Sequence, residues 1–229
     1  MNCSEVYGMT SYFNWNHYLP YHARVDSFIL LQQVYTQTNP ETAHILASEK
    51  HELFCSHLEH AEAFYIQSNT SPLTIQPILQ FYGFTHLLKA AITIKDPFYP
   101  EKSNQLAHGV TSRKRKKRDF SFLEDTVKIQ KNGLYTVFTT RLLNRNPLPV
   151  TITMEELFQS LETNRQDPDP IQAHFLLLYN LSMIARYETE WWNQCITYKK
   201  TADYAVIRSF LAYSAVFLPE EMLKYLTTE

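Results

Sequence analysis

The sequence predicts a mostly α, single-domain helical bundle over residues 1–229, with a basic loop and a β-hairpin inserted at residues 111–141. Three observations lead to this fold class. Several long segments place apolar side chains at the spacing of a helix. Only 4 glycines occur among 229 residues, which disfavours sandwiches and barrels that depend on many tight turns. Apolar residues make up 45% of the chain and aromatic residues 14%, enough to fill a large core.

The first half of the chain predicts an aromatic N-terminal arm at residues 1–21, followed by three helices. The first helix covers residues 25–32 and ends at a Thr-Asn-Pro segment. The second covers residues 41–68, and one side of its helical wheel is apolar. The third covers residues 75–94 and is apolar almost all round, so we expect it to be the central, most buried helix. Gly83 in its interior costs about 1 kcal/mol, and we expect this glycine to admit a closely packed neighbouring helix.

The second half predicts a hairpin and then shorter helices. Residues 126–131 and 134–140 alternate in polarity around Asn132-Gly133, which is a strong signal for a two-residue turn between strands. The remaining helices are expected after a capping box of Thr153 and Glu156, from Pro170 to residue 187 behind the cap Asp169, and at residues 202–216 and 219–226.

Composition and charge exclude several classes of function. The net charge is −2, so the chain has no overall positive field for nucleic acid, and any such attraction must be local. No segment approaches the roughly 20 apolar residues that span a bilayer, and the first residues lack the pattern of a secretory signal. Cys3, Cys55 and Cys195 are odd in number and widely spaced, which is typical of free thiols in a reducing compartment. We therefore expect a cytoplasmic protein without membrane association.

The strongest local feature is an unbroken basic block that holds six of the chain's 21 lysines and arginines. Guanidinium and ammonium groups donate several hydrogen bonds to phosphate oxygens, and Phe120 and Phe122 follow closely as stacking surfaces. The alternative is a solvated loop that docks on an acidic protein surface. The residues predicted to bind the ligand are His108, Arg113, Lys114, Arg115, Lys116, Lys117, Arg118 and Lys131.

A second candidate site lies on the third helix, where His86 and Lys89 are three residues apart. A buried lysine has either a partner or a shifted pKa, and such residues are common at functional sites. Arg186 is assigned to the same secondary site. The alternatives are structural: Lys89 reaches from the helix end to a carboxylate or carbonyl, and the segment Arg186-Tyr187-Glu188 forms a buried ion-pair corner.

The second helix carries side chains that suit a metal ion. His44, His51 and Cys55 lie on one side of its wheel. The segment lacks the second histidine of the zinc-protease signature, so we expect a polar helix face and no metal. His57 projects from the apolar side, where we expect a hydrogen-bonded core histidine. No glycine-rich phosphate loop, dinucleotide fingerprint or paired-cysteine zinc site occurs, so no cofactor is predicted.

Four blocks of sequence resemble the YaaC-like proteins of bacilli and occur in that family's order. The blocks are Tyr82-Gly83 with Leu88-Lys89-Ala90, His108-Gly109-Val110 with Arg113, the segment from Val127 to Leu134, and Met183-Ile184-Ala185-Arg186-Tyr187 with Trp192. Members of the family commonly lie beside the gene for IMP dehydrogenase. The resemblance therefore implies a link to guanine-nucleotide supply, with IMP dehydrogenase as a protein partner.

At a coarser level, the order of helices resembles a HEPN-type bundle. Catalytic HEPN members are metal-independent endoribonucleases that use an arginine followed four to six residues later by a histidine. The nearest spacing in this chain is nine, from Arg165 to His174, so those roles do not carry over. The resemblance implies a domain that binds nucleotides, RNA or partner proteins without catalysis.

The sequence thus favours a non-enzymatic binding or regulatory protein whose basic loop recognises a phosphate-bearing ligand, either a nucleotide or RNA, or an acidic partner protein. The first alternative is a HEPN-type ribonuclease or nucleotide-processing enzyme with a site near His86, Lys89, His108 and Arg186. The second alternative is a structural subunit of a homo-oligomer.

Overall fold

The computed structural model describes residues 12–113, 120–148, 151–163, 168–199 and 201–227, which form a helical bundle with a small antiparallel sheet. The fold class predicted from the sequence is confirmed. The helices are α1 (Leu19–His22), α2 (Arg24–Thr36), α3 (Ala43–Thr70), α4 (Gln76–Lys95), α5 (Leu134–Val137), α6 (Met154–Glu162), α7 (Pro170–Tyr187), α8 (Thr189–Tyr198) and α9 (Asp203–Leu223). The strands are β1 (Val110–Ser112), β2 (Thr126–Ile129) and β3 (Thr151–Thr153).

Helices α3 and α4 pack closely because Gly83 has no side chain. A Cβ atom at this position would lie 2.8 Å from Tyr65 Cδ2 and 3.2 Å from Phe64 Cβ. The helix-propensity cost of glycine, about 1 kcal/mol, is therefore offset by contact between the two helices. The predicted reason for this glycine is confirmed.

Helix α7 is the most continuously buried helix of the described chain. Every residue from Ile171 to Ala185 is buried, whereas α4 keeps a strip of half-buried side chains. The expectation that α4 would be the most buried helix is wrong. The reason is the position of α7, which packs against α4, α6, α8 and the sheet. The aromatic ring of Phe175 on α7 contacts both Phe81 and Phe84 on α4, with ring centroids 5.4 and 6.2 Å apart.

The predicted starts of α6 and α7 are confirmed by their caps. Thr153 and Glu156 form a reciprocal capping box at the start of α6. Asp169 caps α7 through the backbone N–H of Ile171, and Pro170 occupies the first helical position. Local chemistry alone therefore sets these two boundaries.

Pro219 lies inside α9, although the sequence predicted a break there between two helices. Proline costs about 3 kcal/mol in a helix interior because it removes a hydrogen bond and crowds the preceding turn. Leu211, Leu218 and Met222 are buried on both sides of it, and this packing holds the helix together. The Pro219 carbonyl also accepts a hydrogen bond of 2.8 Å from the buried Tyr18 hydroxyl.

The predicted strand at residues 134–140 is helical, so the hairpin is not built around Asn132-Gly133. Leu134, Phe138 and Leu142 are buried and lie four residues apart, which is the spacing of a helix. The alternation of polar and apolar residues in the same segment had indicated a strand. Phe138 and Tyr135 pack their rings against Phe175, at centroid distances of 5.1 and 5.7 Å. These tertiary contacts favour the helix over a second strand.

The observed sheet has the strand order β1-β2-β3, with both pairs antiparallel. Val110 pairs with Ile129, and Val127 pairs with Ile152. Because β1 and β2 are antiparallel neighbours, residues 113–125 are the connection of a β-hairpin, and the basic block belongs to this connection. The inserted hairpin therefore exists, but its strands are β1 and β2.

Two glycines hold the base of this hairpin against the start of α5. Gly109 and Gly133 have φ angles of +79° and +130°, and a Cβ on Gly133 would lie 2.3 Å from Gly109 Cα. Backbone hydrogen bonds run from Leu134 N to Ala107 O and from Gln130 N to Gly109 O, at 2.7 and 2.9 Å. Only glycine fits both the positive φ and this backbone contact.

The described part of the N-terminal arm packs on the body, as expected. Trp15 and Tyr18 are buried, and the Trp15 ring lies 5.5 Å from that of Tyr65 on α3. Residues 1–11 lie outside the described residues. Among the described helices, none is both long and apolar enough to cross a membrane.

Candidate functional site

The basic block follows directly from β1. Arg113, its first residue, is exposed, while Lys114, Arg115, Lys116, Lys117 and Arg118 lie outside the described residues. Strand β1 contacts α7, and Ser112 Oγ lies 3.0 Å from Asn180 Oδ1 on that helix. Ser112, the residue before the block, is thus hydrogen-bonded to α7.

Lys131 and Arg113 lie at opposite ends of the β1–β2 ladder. Arg113 follows Ser112, which pairs with Val127, whereas Lys131 follows the pair of Val110 and Ile129 at the other end. Lys131 is exposed and lines a shallow cleft of about 130 Å³. The other lining residues are Gln105, Asn132, Gly133, Thr136, Val137, Thr140 and Arg141. The two predicted ligand-binding cations are therefore not brought together.

Arg141 in this cleft is already neutralised by carboxylates. Its guanidinium forms ion pairs with Asp96 and Glu101, the latter at 2.9 Å. These contacts tie the π-helical turn Phe138–Leu142 to the end of α4. Lys131 is therefore the cation of the cleft that remains available to a ligand.

The His108 side chain packs against aromatic side chains of α4 and α7. Its ring centroid is 4.9 Å from Phe81, 5.9 Å from Tyr179 and 6.0 Å from Tyr82. Burial, together with the smaller effect of the positive charges of Lys89 and Arg186, lowers the pKa of His108 to about 4. His108 is therefore a neutral imidazole at neutral pH, and it joins the secondary site.

A row of rings lies between α3 and α4 beside His108. His57 Nδ1 and His86 Nδ1 are 3.0 Å apart, and the exposed His60 stacks on His86 with centroids 5.1 Å apart and planes at 13°. Phe64 stacks between His86 and Tyr82, at 5.8 and 6.0 Å. The expectation that His57 is hydrogen-bonded is confirmed, and its partner is a second histidine.

Lys89 is half-buried at the edge of this row. Its Nζ has no hydrogen-bond acceptor and no carboxylate partner within the described ranges, so the predicted reach to a carboxylate or carbonyl is not formed there. Burial lowers the pKa of Lys89 below its usual value of 10.5. We call His57, His60, His86, Lys89 and His108 the histidine–lysine cluster.

Arg186 approaches the cluster from α7 and bonds to its own helix. Its Nε donates to the Ser182 carbonyl at 2.9 Å, and Nη2 lies 3.2 Å from Met183 Sδ. The guanidinium also lies 5.5 Å from the ring centroid of the exposed Tyr187. No carboxylate pairs with Arg186 among the residues that the structure describes, so the buried ion-pair corner is not formed by this arginine.

The side chains considered for a metal are used in other ways. His51 Nδ1 lies 3.1 Å from the Ala47 carbonyl, and buried Cys55 lies 3.1 Å from Ser27 Oγ. His44 contacts Phe28 edge-on. In the described part of the chain, no group of three or more histidine, cysteine or acidic side chains is placed to hold a metal ion.

His174 is fully buried and cannot meet a substrate in this structure. Its Nδ1 lies 2.8 Å from Ser214 Oγ, and its ring stacks between Phe210 and Phe217 of α9. Burial lowers its pKa to about 3. Arg165 lies outside the described residues.

His60 of the cluster and the neighbouring rings of Tyr82 and Tyr179 were missed from the sequence. Tyr82 could have been found, because Tyr82, His86 and Lys89 are spaced i, i+4, i+7 and so share one face of α4. His60 shares a face of α3 with His57 by the same rule. Tyr179 gave no signal, since it lies in a long apolar segment and meets His108 only through the tertiary fold.

The described residues form a mostly helical domain with a small antiparallel sheet, and the basic block lies in the chain between β1 and β2. No curated protein and no solved structure matches the chain significantly. The family model described as "YaaC-like Protein" matches residues 18–166 and 161–226. The chain therefore belongs to the YaaC-like family, as its four sequence blocks indicated.

Proposed function

We propose that this protein is a non-enzymatic binding protein whose basic hairpin connection recognises a phosphate-bearing ligand. The observation that carries the proposal is the position of the block: six consecutive cations join two antiparallel strands of a three-stranded sheet. Cations displayed together on one short connection favour multidentate contact with phosphate oxygens.

The described framework supports this proposal because it is firmly attached to the core. Strand β2 is the central strand, and Val127 is buried while its neighbour Lys128 points to solvent. Lys128 pairs with Thr111, two residues before Arg113, and so adds an exposed cation to the outer side of the same ladder. Lys128 was not among the predicted ligand-binding residues, although the strand alternation places it outward.

The ligand class is a nucleotide or RNA, and an acidic protein surface is the competing partner. The weak net charge of −2 argues against a general nucleic-acid binder, which favours a compact ligand. The family resemblance adds IMP dehydrogenase as the protein partner to test, linked to guanine-nucleotide supply in the cytoplasm.

The test measures binding of a labelled RNA oligonucleotide and of nucleoside triphosphates to the wild type and to the triple variant Arg113→Ala, Arg115→Ala, Arg118→Ala. We expect loss of binding with an unchanged melting temperature, because exposed charges contribute little to folding. The matched control replaces the exposed Lys95, Lys102 and Arg208 with alanine and should bind as the wild type does. Equal affinity of wild type and triple variant would exclude the proposal.

The same variants separate a phosphate ligand from an acidic partner. Purified IMP dehydrogenase is added to immobilised wild type, triple variant and control. If the triple variant alone failed to retain IMP dehydrogenase, and the wild type bound neither RNA nor nucleotides, the block would be assigned to protein docking.

A nucleotide-processing enzyme is the second candidate function, favoured by the half-buried histidine–lysine cluster. Neutral imidazoles beside a desolvated lysine suit acid–base chemistry. Incubation of the purified protein with RNA and nucleotides, with and without a chelator, tests this candidate. No turnover in either condition would exclude it.

A further inference from the structure

We propose that the face of α4 carrying Tyr82, His86 and Lys89 is a second ligand site, which binds a nucleoside monophosphate or a closely similar planar ring bearing one anionic group. The residues of this site do not include those of the basic block, and the proposal does not rest on the proposed function.

Lys89 carries a half-buried charge that no acidic side chain compensates in the described ranges. A half-buried ammonium group loses hydration and is stable when it has an anionic partner. Nζ has no such partner in the part of the chain that the structure describes, and Arg186 on α7 also has no carboxylate. Both cations act on the His108 ring, so they border one common region. A bound anion would supply the missing counterion.

Four aromatic rings form a nearly parallel row beside Lys89. The ring planes of His60, His86, Phe64 and Tyr82 follow one another at angles of 13° to 26°, and each of these side chains keeps some exposure. Aromatic planes of this kind are stacking platforms for planar heterocycles, which bind by their faces. The row therefore favours a ligand with a flat ring over a simple inorganic anion.

The distance between the aromatic row and Lys89 suits a nucleotide. Tyr82 and Lys89 lie on one face of α4, two turns apart, or roughly 10 Å along the helix axis. A nucleoside monophosphate spans this separation with its base at the aromatic end and its phosphate at Nζ. His86 and His108 lie between the two ends. A neutral His108 has one N–H to donate, and His86 can donate from Nε2 when its Nδ1 accepts from His57.

The remaining charged and titratable groups around the site do not compete for the anion. Of the α3 acids nearby in sequence, Glu59 pairs with Arg24 at 2.9 Å, and Glu62 lies 3.6 Å from His22. His57 faces the site with its ring engaged to His86. The positive groups on this face are therefore free to meet a phosphate.

The experiment is a calorimetric titration of the full chain with four probes: AMP, UMP, ribose 5-phosphate and adenosine. We expect both nucleotides to bind at least about tenfold more tightly than ribose 5-phosphate, which lacks the ring, and adenosine, which lacks the phosphate. If ribose 5-phosphate bound as tightly as AMP, the claim that the aromatic rings bind the base would be contradicted. No saturable binding of any probe at millimolar concentration would overturn the site.

Two variants locate the binding. Lys89→Met keeps the length of the side chain and should weaken AMP binding about tenfold or more. The matched control is Lys95→Met, on the exposed last turn of the same helix, which should bind AMP as the wild type does. Tyr82→Leu should weaken AMP without changing the affinity for ribose 5-phosphate. Unchanged AMP affinity in Lys89→Met would overturn the assignment.

The outcome is distinguishable from that of the hairpin proposal. The triple variant Arg113→Ala, Arg115→Ala, Arg118→Ala should retain AMP binding at α4, and Lys89→Met should retain whatever affinity the block has for RNA. Loss of AMP binding in the triple variant, with normal binding in Lys89→Met, would place the nucleotide at the hairpin and overturn the second site.

Discussion

His57 and His86 share a hydrogen bond in which the two Nδ1 atoms lie 3.0 Å apart. One ring must donate and the other accept, so the bond exists only while at least one imidazole is neutral. Burial lowers the pKa of His57 to about 3 and that of His86 to about 4. Protonation of both imidazoles would therefore remove a hydrogen bond between α3 and α4.

This pair predicts that the protein loses stability in mild acid. In the unfolded chain these histidines titrate at their ordinary pKa of 6.5, whereas the folded pKa values lie at about 3 to 4. Between those limits the unfolded chain binds more protons, so the free energy of unfolding falls as the pH is lowered. Urea unfolding from about pH 7 to about pH 5 measures the effect.

Two controls identify the source of the pH dependence. His86→Gln should reduce the slope without abolishing it, because His57, His108 and His174 contribute in the same direction. The exposed His17→Gln should leave the slope unchanged. Glu59, whose pKa is lowered from 4.5 mainly by its hydrogen bond to Arg24, loses its stabilising charge only at lower pH. A wild-type stability that stays constant across this window would contradict the lowered histidine pKa values.

Lys89→Met should keep or raise the melting temperature, by up to a few degrees. The substitution removes a desolvated charge that has no partner among the described residues and leaves an apolar stem of equal length. Differential scanning calorimetry of Lys89→Met beside Lys95→Met measures the change. A clear fall in the melting temperature of Lys89→Met alone would show that this lysine stabilises the fold.

Gly133→Ala should destabilise the protein by about 2 kcal/mol or more. Its φ of +130° is strained for any residue with a side chain, and the new Cβ would lie 2.3 Å from Gly109 Cα. The free energy of unfolding in urea is the measurement. The adjacent, exposed Asn132→Ala is the control and should change it by less than about 0.5 kcal/mol. Equal effects of the two substitutions would contradict the close glycine contact.

The helix boundaries could be predicted where contacts within a single turn determine them. Thr153 and Glu156 cap α6, and Asp169 with Pro170 begins α7. Each of these signals acts within one helical turn and is independent of the rest of the fold. Pro219 is different, since the burial of residues around it overrides a strong local signal for a break.

The candidate sites were only partly predictable for the same reason. His86 and Lys89 are three residues apart on one helix, and the sequence identified them. Their meeting with His108 depends on the contact between Gly109 and Gly133, which joins segments far apart in the chain. The assignment of residues 134–140 to a strand failed because Tyr135 and Phe138 pack on Phe175 of α7, which is also far away in the sequence.

The central claim, that the basic hairpin connection binds phosphates, is tested most directly by the salt dependence of binding to a single-stranded RNA oligonucleotide. Each phosphate neutralised by the block contributes about −0.7 to the slope of log affinity against log salt. The account predicts a steep slope for the wild type, reduced by about 2 when Arg113, Arg115 and Arg118 are replaced by alanine. A slope that is the same in wild type and triple variant would contradict it.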